Sequence, residues 1–218
     1  MIVVVASAFD AAARSVVARW GSRRAAMLTA EDLCRPGWSL RIPVGGADTS
    51  VIAERVVPNA EIEGVLTLRP CVFPAELRSI RPVDRQYVSA ELNAFLLGWL
   101  TSLRCPVVNR PSAASLAGPN WLPEKWAMAA ASCGIPVRRE TRPSSDDALE
   151  IIAAGDRCFG SETAVLGVWT RQLARTAGVD LLSVRYSRDH HFLSASCWPT
   201  LTDDEVLDAV RERVEQAQ

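Results

Sequence analysis

The stretch HFLSASCWP, residues 191–199, sets two hydroxyls, Ser194 and Ser196, two residues apart in what reads as a short strand. Side chains alternate along a strand, so Phe192, Ser194 and Ser196 are expected on one face. Two small hydroxyls side by side can hydrogen-bond a ligand, but they bring no charge to it. His190 and His191, just upstream, are the only two histidines. As neighbours they point to opposite faces and are poorly placed to chelate one ion, so they read as surface residues of a hairpin tip. A nucleophile–base pair between Cys197 and one of them would have to form through space, and no local signature marks it. The six cysteines (Cys34, Cys71, Cys105, Cys133, Cys158, Cys197) include no C-x-x-C pair. Zinc-site spacing is therefore absent, and they read as small buried hydrophobes.

Three further side chains are candidates. Lys125 is the only lysine, and its simplest reading is a solvated helix-face residue. Arg69 closes the strand-like GVLTLRP and faces either a cleft or solvent. Asn109, in VVNRP, is expected to bond the backbone of its own turn. Among the seven tryptophans, Trp99 and Trp169 lie on apolar helix faces and read as core. Trp121 and Trp126 flank Lys125; exposed there, they would favour an interface.

These residues must be carried by elements that the patterning specifies. Val3 to Ala8 reads as a buried strand, with Asp10 capping a helix from about Ala11 to Trp20. A strand near Ala25 to Thr29 follows, and WSLRIPVGGADTSVIAERVV alternates about a Gly-Gly turn as a hairpin should. GVLTLRP is a strand ended by Pro70. Val88, Leu92, Phe95, Leu96, Trp99 and Leu103 recur at helical spacing over 84–103, with Asp84 as cap. Cys105 to Val108 is a short strand, and a helix runs from about Pro123 to Cys133. RPSSDD (142–147) is the candidate junction. Beyond it come two strands about a Gly-Asp turn, a helix from about Glu162 to Ala177, and a hairpin about 187–190. A last helix opens on a capping box, Thr202 to Glu205.

The alternation of strand and helix in the first part predicts a mostly parallel α/β lobe over 1–141. Hairpins plus helices predict a small α+β lobe over 142–218. The chain has 218 residues, 49% of them hydrophobic, which suffices for a substantial core. No apolar run approaches the roughly 20 residues of a spanning helix. A formal net charge of −1 supplies no global field for nucleic acid or membrane. MIVVVASAF lacks a basic n-region and reads as a strand, not a signal peptide. A cytoplasmic protein is expected.

The order of these elements resembles ATP-grasp ligases, in particular the ribosomal-protein-modifying and peptide-cyclising (graspetide) branch. GVLTLRP, then a long helix carrying Glu91, then CPVVNRPSAA and EKWAMAAASCGIPV resemble that branch's pre-ATP-grasp half. LARTAGVDLLSVRYSRDHHFLSASCWP resembles its last lobe, where a G-[VL]-D turn precedes a strand of the form E-x-N-x-x-P. The resemblance implies that Lys125 matches a phosphate-contacting lysine and that Arg69 and Asn109 border the ligand cleft. It also implies that Asp180 is a remnant magnesium ligand, with Ser194 and Ser196 standing where Glu and Asn would be. The central lobe, with its second lysine and adenine clamp, has no counterpart here, because GIPVRRETRPSSDD runs almost directly into ALEII.

Acyl-phosphate formation needs metal-bridged charge neutralisation and a firmly held nucleotide. The expectation is therefore a truncated, degenerate member of that fold with no catalytic residue of its own and no ATP or magnesium as resident cofactor. It would act as a binding or scaffold protein. Its expected partners are a peptide or an intact ATP-grasp ligase, and the resemblance implies a homodimer. The alternative is an enzyme that reuses the cleft, either as half of a split carboxylate–amine ligase or through Cys197, His190 or His191.

Overall fold

A computed structural model of the chain describes residues 1–41, 48–137, 148–160 and 164–216. The junction expected at 142–147 and the Gly45-Gly46 turn lie outside the described residues. The opening apolar run forms β1 (Ile2–Val5), buried throughout. Asp10 caps α1 (Ala11–Trp20), its carboxylate accepting the Ala13 N–H at 3.0 Å, as the sequence predicts. β2 (Ala25–Leu28), the short α2 (Ala30–Leu33) and a hairpin of β3 (Thr49–Ile52) and β4 (Arg55–Pro58) follow. That hairpin turns at Ala53-Glu54, whose φ angles are 48° and 65°. A two-residue turn with both φ positive matches strand twist, and here neither residue is the glycine or asparagine that would advertise it. β5 (Gly64–Thr67), α3 (Arg85–Ser102), β6 (Val107–Val108) and α4 (Pro123–Ser132) complete the first part. Asp84 stands at the start of α3 but makes no capping bond; its carboxylate pairs with Arg81 at 2.7 Å instead.

The first sheet is parallel, in the order β2-β1-β5-β6. Ile2, Val4 and Leu66 face α1, while Val3, Val5 and Val65 face Leu96, Trp99 and Leu100 of α3. Both faces are therefore covered, as a parallel sheet requires. Trp99 is fully buried, and its indole N–H donates to Ser50 Oγ at 2.8 Å, which ties α3 to the hairpin.

The second sheet is antiparallel, order β10-β9-β7-β8, from β7 (Leu149–Ala154), β8 (Arg157–Gly160), β9 (Leu181–Tyr186) and β10 (Phe192–Ser196). α4 and α5 (Ala164–Ala177) cover one face, packing on Ile151, Ala153, Leu182, Val184 and Tyr186. α4 thus precedes the expected junction in sequence yet packs on the sheet that follows it. The last helix, α6 (Asp204–Gln216), contacts β5 and β6 of the first sheet and β7 and β8 of the second. Val206, Val210 and Val214 join one core with Leu66, Ala154 and Leu181. The approach is close: a Cβ on Gly64 would lie 2.3 Å from Val214 Cγ1 and 2.7 Å from the Val214 carbonyl oxygen. α6 opens on Asp203, whose Oδ1 accepts the Glu205 N–H at 2.8 Å and the Val206 N–H at 3.3 Å. Asp203, one residue beyond the expected Thr202, is the cap. The fold class is as the sequence predicts: a parallel α/β lobe followed by an α+β lobe. Among the described residues no helix is long and apolar enough to cross a membrane.

Candidate functional site

The candidates fall into two groups, one embedded in the frame and one at its surface. Asn109 belongs to the first. It ends β6 with φ 55°, a left-handed conformation that asparagine tolerates, and it is 1% exposed. Its Nδ2 donates to the carbonyls of Leu181 (2.6 Å) and Cys197 (2.8 Å), and Oδ1 accepts the N–H groups of Asp180 (3.0 Å) and Leu181 (2.9 Å). Both donors and both lone pairs are used. The expectation that Asn109 bonds backbone holds, but the backbone is that of β9 and the end of β10, not its own turn. One amide thereby fastens the edge of the first sheet to the second.

Arg69 is buried, 4% exposed, and so is not a surface arginine. Its Nε donates to the Cys71 carbonyl at 2.7 Å and Nη1 to the Ala6 carbonyl at 3.2 Å, while Nη2 pairs with the Glu76 carboxylate. Glu76 Oε2 also accepts the Phe73 N–H at 2.9 Å. Burial pushes the Glu76 carboxyl up, but the hydrogen bond and charge of Arg69 outweigh it and hold the group below its ordinary value. Sequence reasoning missed Glu76; an acidic residue seven positions after a strand-end arginine is the only signal, and a weak one.

The surface group lies on the second sheet. Between Phe192 and Ser194 the β9–β10 register shifts by a bulge. Phe192 pairs with Tyr186, whereas Ser194 pairs with Arg185 and Ser196 with Ser183. Directly opposed residues share a face, so the bulge turns Phe192 into the α4–α5 core and leaves the two serines on the other side. The expected shared face of Phe192 with Ser194 and Ser196 is corrected accordingly. Ser194 is exposed and Ser196 half-buried. Their face continues through Arg185 and Ser183 to Glu150, whose carboxylate accepts the Ser183 hydroxyl. α6 covers only the far end of this face, over Ile152, Ala154, Phe159 and Leu181.

Asp180 precedes β9 and is half-exposed. Its Oδ1 accepts from Arg213 Nε (3.1 Å) and Nη2 (2.8 Å), so an arginine of α6 occupies the carboxylate. Lys125 is exposed on α4, with Nζ 4.4 Å above the Trp121 ring, which in turn meets Trp126 at 4.7 Å. Trp126 is buried and Trp121 half-buried, so this cluster anchors α4 more than it presents an interface.

A magnesium-nucleotide site does not fit these residues. Magnesium wants hard, charged oxygens in a near-octahedral shell. Of the three side chains expected as ligands or lost ligands, Asp180 has its Oδ1 bound by Arg213, and Ser194 and Ser196 carry neutral hydroxyls. Among the described residues no three His, Cys, Asp or Glu side chains gather to hold a metal ion. The Cys–His alternative fares no better. Cys197 is 1% exposed, and burial pushes its thiol up to about 12, far from a thiolate nucleophile. His191 instead lies with Nδ1 3.6 Å from the Asp189 carboxylate.

Two clefts flank the Asp180–Arg213 pair. One, of about 400 Å³, lies among the β7–β8 turn, the end of α5 and α6. The other, of about 240 Å³, lies between that pair and β6.

No family model matches this chain, and no curated protein matches it in sequence. Solved structures do match its fold. The macrocyclase MdnC of Microcystis aeruginosa MRC, bound with precursor peptide MdnA, aligns at a TM-score of 0.71 and 10% identity over 98% of each chain. The RiPP-associated ATP-grasp ligase of Chryseobacterium gregarium, in complex with ADP and a leader and core peptide, aligns at 0.69 and 9% identity, over 98% of this chain and 96% of that one. The ATP-grasp ligase PsnB, complexed with minimal precursor, aligns at 0.66 and 11% identity, over 97% of this chain and 98% of that one. The chain therefore has the mixed α/β fold of ATP-grasp peptide ligases.

Proposed function

We propose that this chain is a non-catalytic ATP-grasp-like protein that binds a peptide, as a scaffold or as the partner of an intact peptide ligase. The observation that carries the reading is the state of the ligand positions: Asp180 is held by Arg213, and Ser194 and Ser196 offer hydroxyls on an exposed face. Metal-bridged neutralisation of a triphosphate would lack its charged oxygen ligands there. Two supports come from the sequence: a single lysine, and a connection from GIPV to ALEII too short for a central lobe. Lys125, stacked on Trp121, is on this reading a remnant without a nucleotide to contact. Solved structures of this fold hold precursor, leader and core peptides, which supports a peptide as the ligand class. The division into lobes 1–141 and 142–218 and self-association as a homodimer belong to the same proposal.

The test is direct. The whole chain is incubated with Mg-ATP and a peptide bearing both carboxylates and amine or hydroxyl side chains, then followed by titration calorimetry and mass spectrometry. Binding without loss of water from the peptide is expected. Dehydration of the peptide by the chain alone would overturn the non-catalytic reading.

A second reading is favoured by one feature, the open polar face of Glu150, Arg185, Ser194 and Ser196 beyond the reach of α6. A lobe supplied by another polypeptide could close over it and complete a split ligase. Dehydration appearing only when a partner ligase is added, and lost when this chain carries bulky substitutions at Ser194 and Ser196, would favour that reading.

A further inference from the structure

The two clefts beside Asp180 are lined by six arginines: Arg157, Arg171, Arg175 and Arg213 in the larger, Arg104, Arg110 and again Arg213 in the smaller. Among the described residues three carboxylates accompany them: Asp156, Asp180 and Glu212. Each carboxylate is already matched, by Arg175 at 2.9 Å, Arg213 at 2.8 Å and Arg157 at 3.2 Å respectively. Arg104, Arg110 and Arg171 have no carboxylate partner among the described residues. This concentration of positive charge stands out in a chain whose formal net charge is −1.

The distribution of the three guanidiniums without a carboxylate partner narrows the ligand. Arg171 opens into one cleft and Arg104 and Arg110 into the other, with the Asp180–Arg213 pair as their common wall. One compact anion fills one side and leaves the other unsatisfied. Among the described residues no aromatic side chain lines either cleft, so a nucleobase finds no ring there to stack on. Guanidinium forks are the best side-chain match to carboxylates, and several in series suit a chain carrying carboxylates at intervals.

We propose that the furrow formed by these two clefts binds an acidic peptide segment, its carboxylates divided between Arg171 on one side and Arg104 and Arg110 on the other. The inference rests on the peptide-binding reading above and names the class of peptide and where it lies.

The experiment uses the whole chain and fluorescein-labelled hexaglutamate in anisotropy titrations at low salt, with hexaglutamine as the neutral control. Arg104→Ala/Arg110→Ala and Arg171→Ala each remove one side of the furrow; Arg55→Ala, on exposed β4, removes an arginine elsewhere. Circular dichroism checks that each variant keeps its fold. Hexaglutamate binds and hexaglutamine does not; each furrow variant weakens binding by about tenfold or more, the scale of a lost charge-assisted contact, while Arg55→Ala stays within about twofold. Equal binding by all variants would overturn the furrow and leave peptide binding elsewhere standing. Failure to bind hexaglutamate would also overturn it; failure with neutral and basic peptides as well would overturn the peptide-binding reading too. Tripolyphosphate or a short oligothymidylate that competes as well as hexaglutamate, with the same dependence on the variants, would make this a general anion site and sink the peptide assignment.

Discussion

The two sheets of this molecule are finished to different degrees. The parallel sheet is buried on both faces, by α1 and α6 on one side and α3 with the β3–β4 hairpin on the other. The antiparallel sheet is buried on one face by α4 and α5 and only partly on the other by α6. Polar groups reflect this difference. In the first lobe and at its edge, Arg69, Glu76 and Asn109 are buried and matched to backbone or to each other. On the other face of the second sheet, Ser194 and Glu150 are exposed and Ser196 and Arg185 half-buried. Of the residues singled out in the sequence, Arg69 and Asn109 hold the frame together, whereas Ser194 and Ser196 present neutral hydroxyls on the sheet's other face. A polar residue singled out in this way signals packing as readily as chemistry.

The largest expected loss of stability is at Asn109. Asn109→Ala strands two buried N–H groups and two buried carbonyls and leaves alanine at φ 55°. An expected cost of about 3–5 kcal/mol would lower the melting temperature by roughly 10 °C, read by thermal circular dichroism. A loss of a degree or less would mean that the two sheets are not joined through this amide.

Next in size is the buried Arg69–Glu76 pair. Removing one partner leaves an uncompensated buried charge, so Glu76→Gln is expected to cost about 2–4 kcal/mol at neutral pH. The folded carboxyl is depressed below its ordinary value of 4.5, so its contribution is fully present above that pH and is lost as pH falls through the lowered value. Acid titration of the melting temperature should therefore fall less steeply below about pH 4.5 in the variant than in the parent. Parallel acid limbs would contradict the assignment.

The smallest effect belongs to the surface group. Lys125→Ala removes one exposed cation–ring contact and is expected to change stability by about 0.5–1 kcal/mol. Denaturant unfolding reads this directly, and a cost of several kcal/mol would place Lys125 in the frame instead.

Much of the frame was legible because its signals are local. The Asp10 cap, the helical spacing from Val88 to Leu103 and the hairpin alternation of β9 and β10 each depend on residues a few positions apart. What escaped depends on distant partners or on backbone shape without a marker residue. The Ala53-Glu54 turn has positive φ angles imposed by the packed hairpin, with no glycine to announce them. The bulge after Phe192 is invisible to a period-two reading, and it moved Phe192 to the opposite face from the serines. Asn109 finds its partners 71 or more residues away, so its role could be named as backbone bonding but not located. Arg213, which decides what Asp180 can do, lies 33 residues beyond it on a helix that reads in isolation only as amphipathic.

Thermal unfolding with and without millimolar Mg-ATP tests the proposal that this chain carries the fold without nucleotide chemistry. A ligand at about a hundred times its Kd stabilises a folded protein by roughly 2.7 kcal/mol, a shift of several degrees at this size. Coincident unfolding curves are expected with Mg-ATP, Mg-ADP and buffer alone. A clear Mg-ATP shift that disappears in both Lys125→Ala and Asp180→Ala would contradict the proposal.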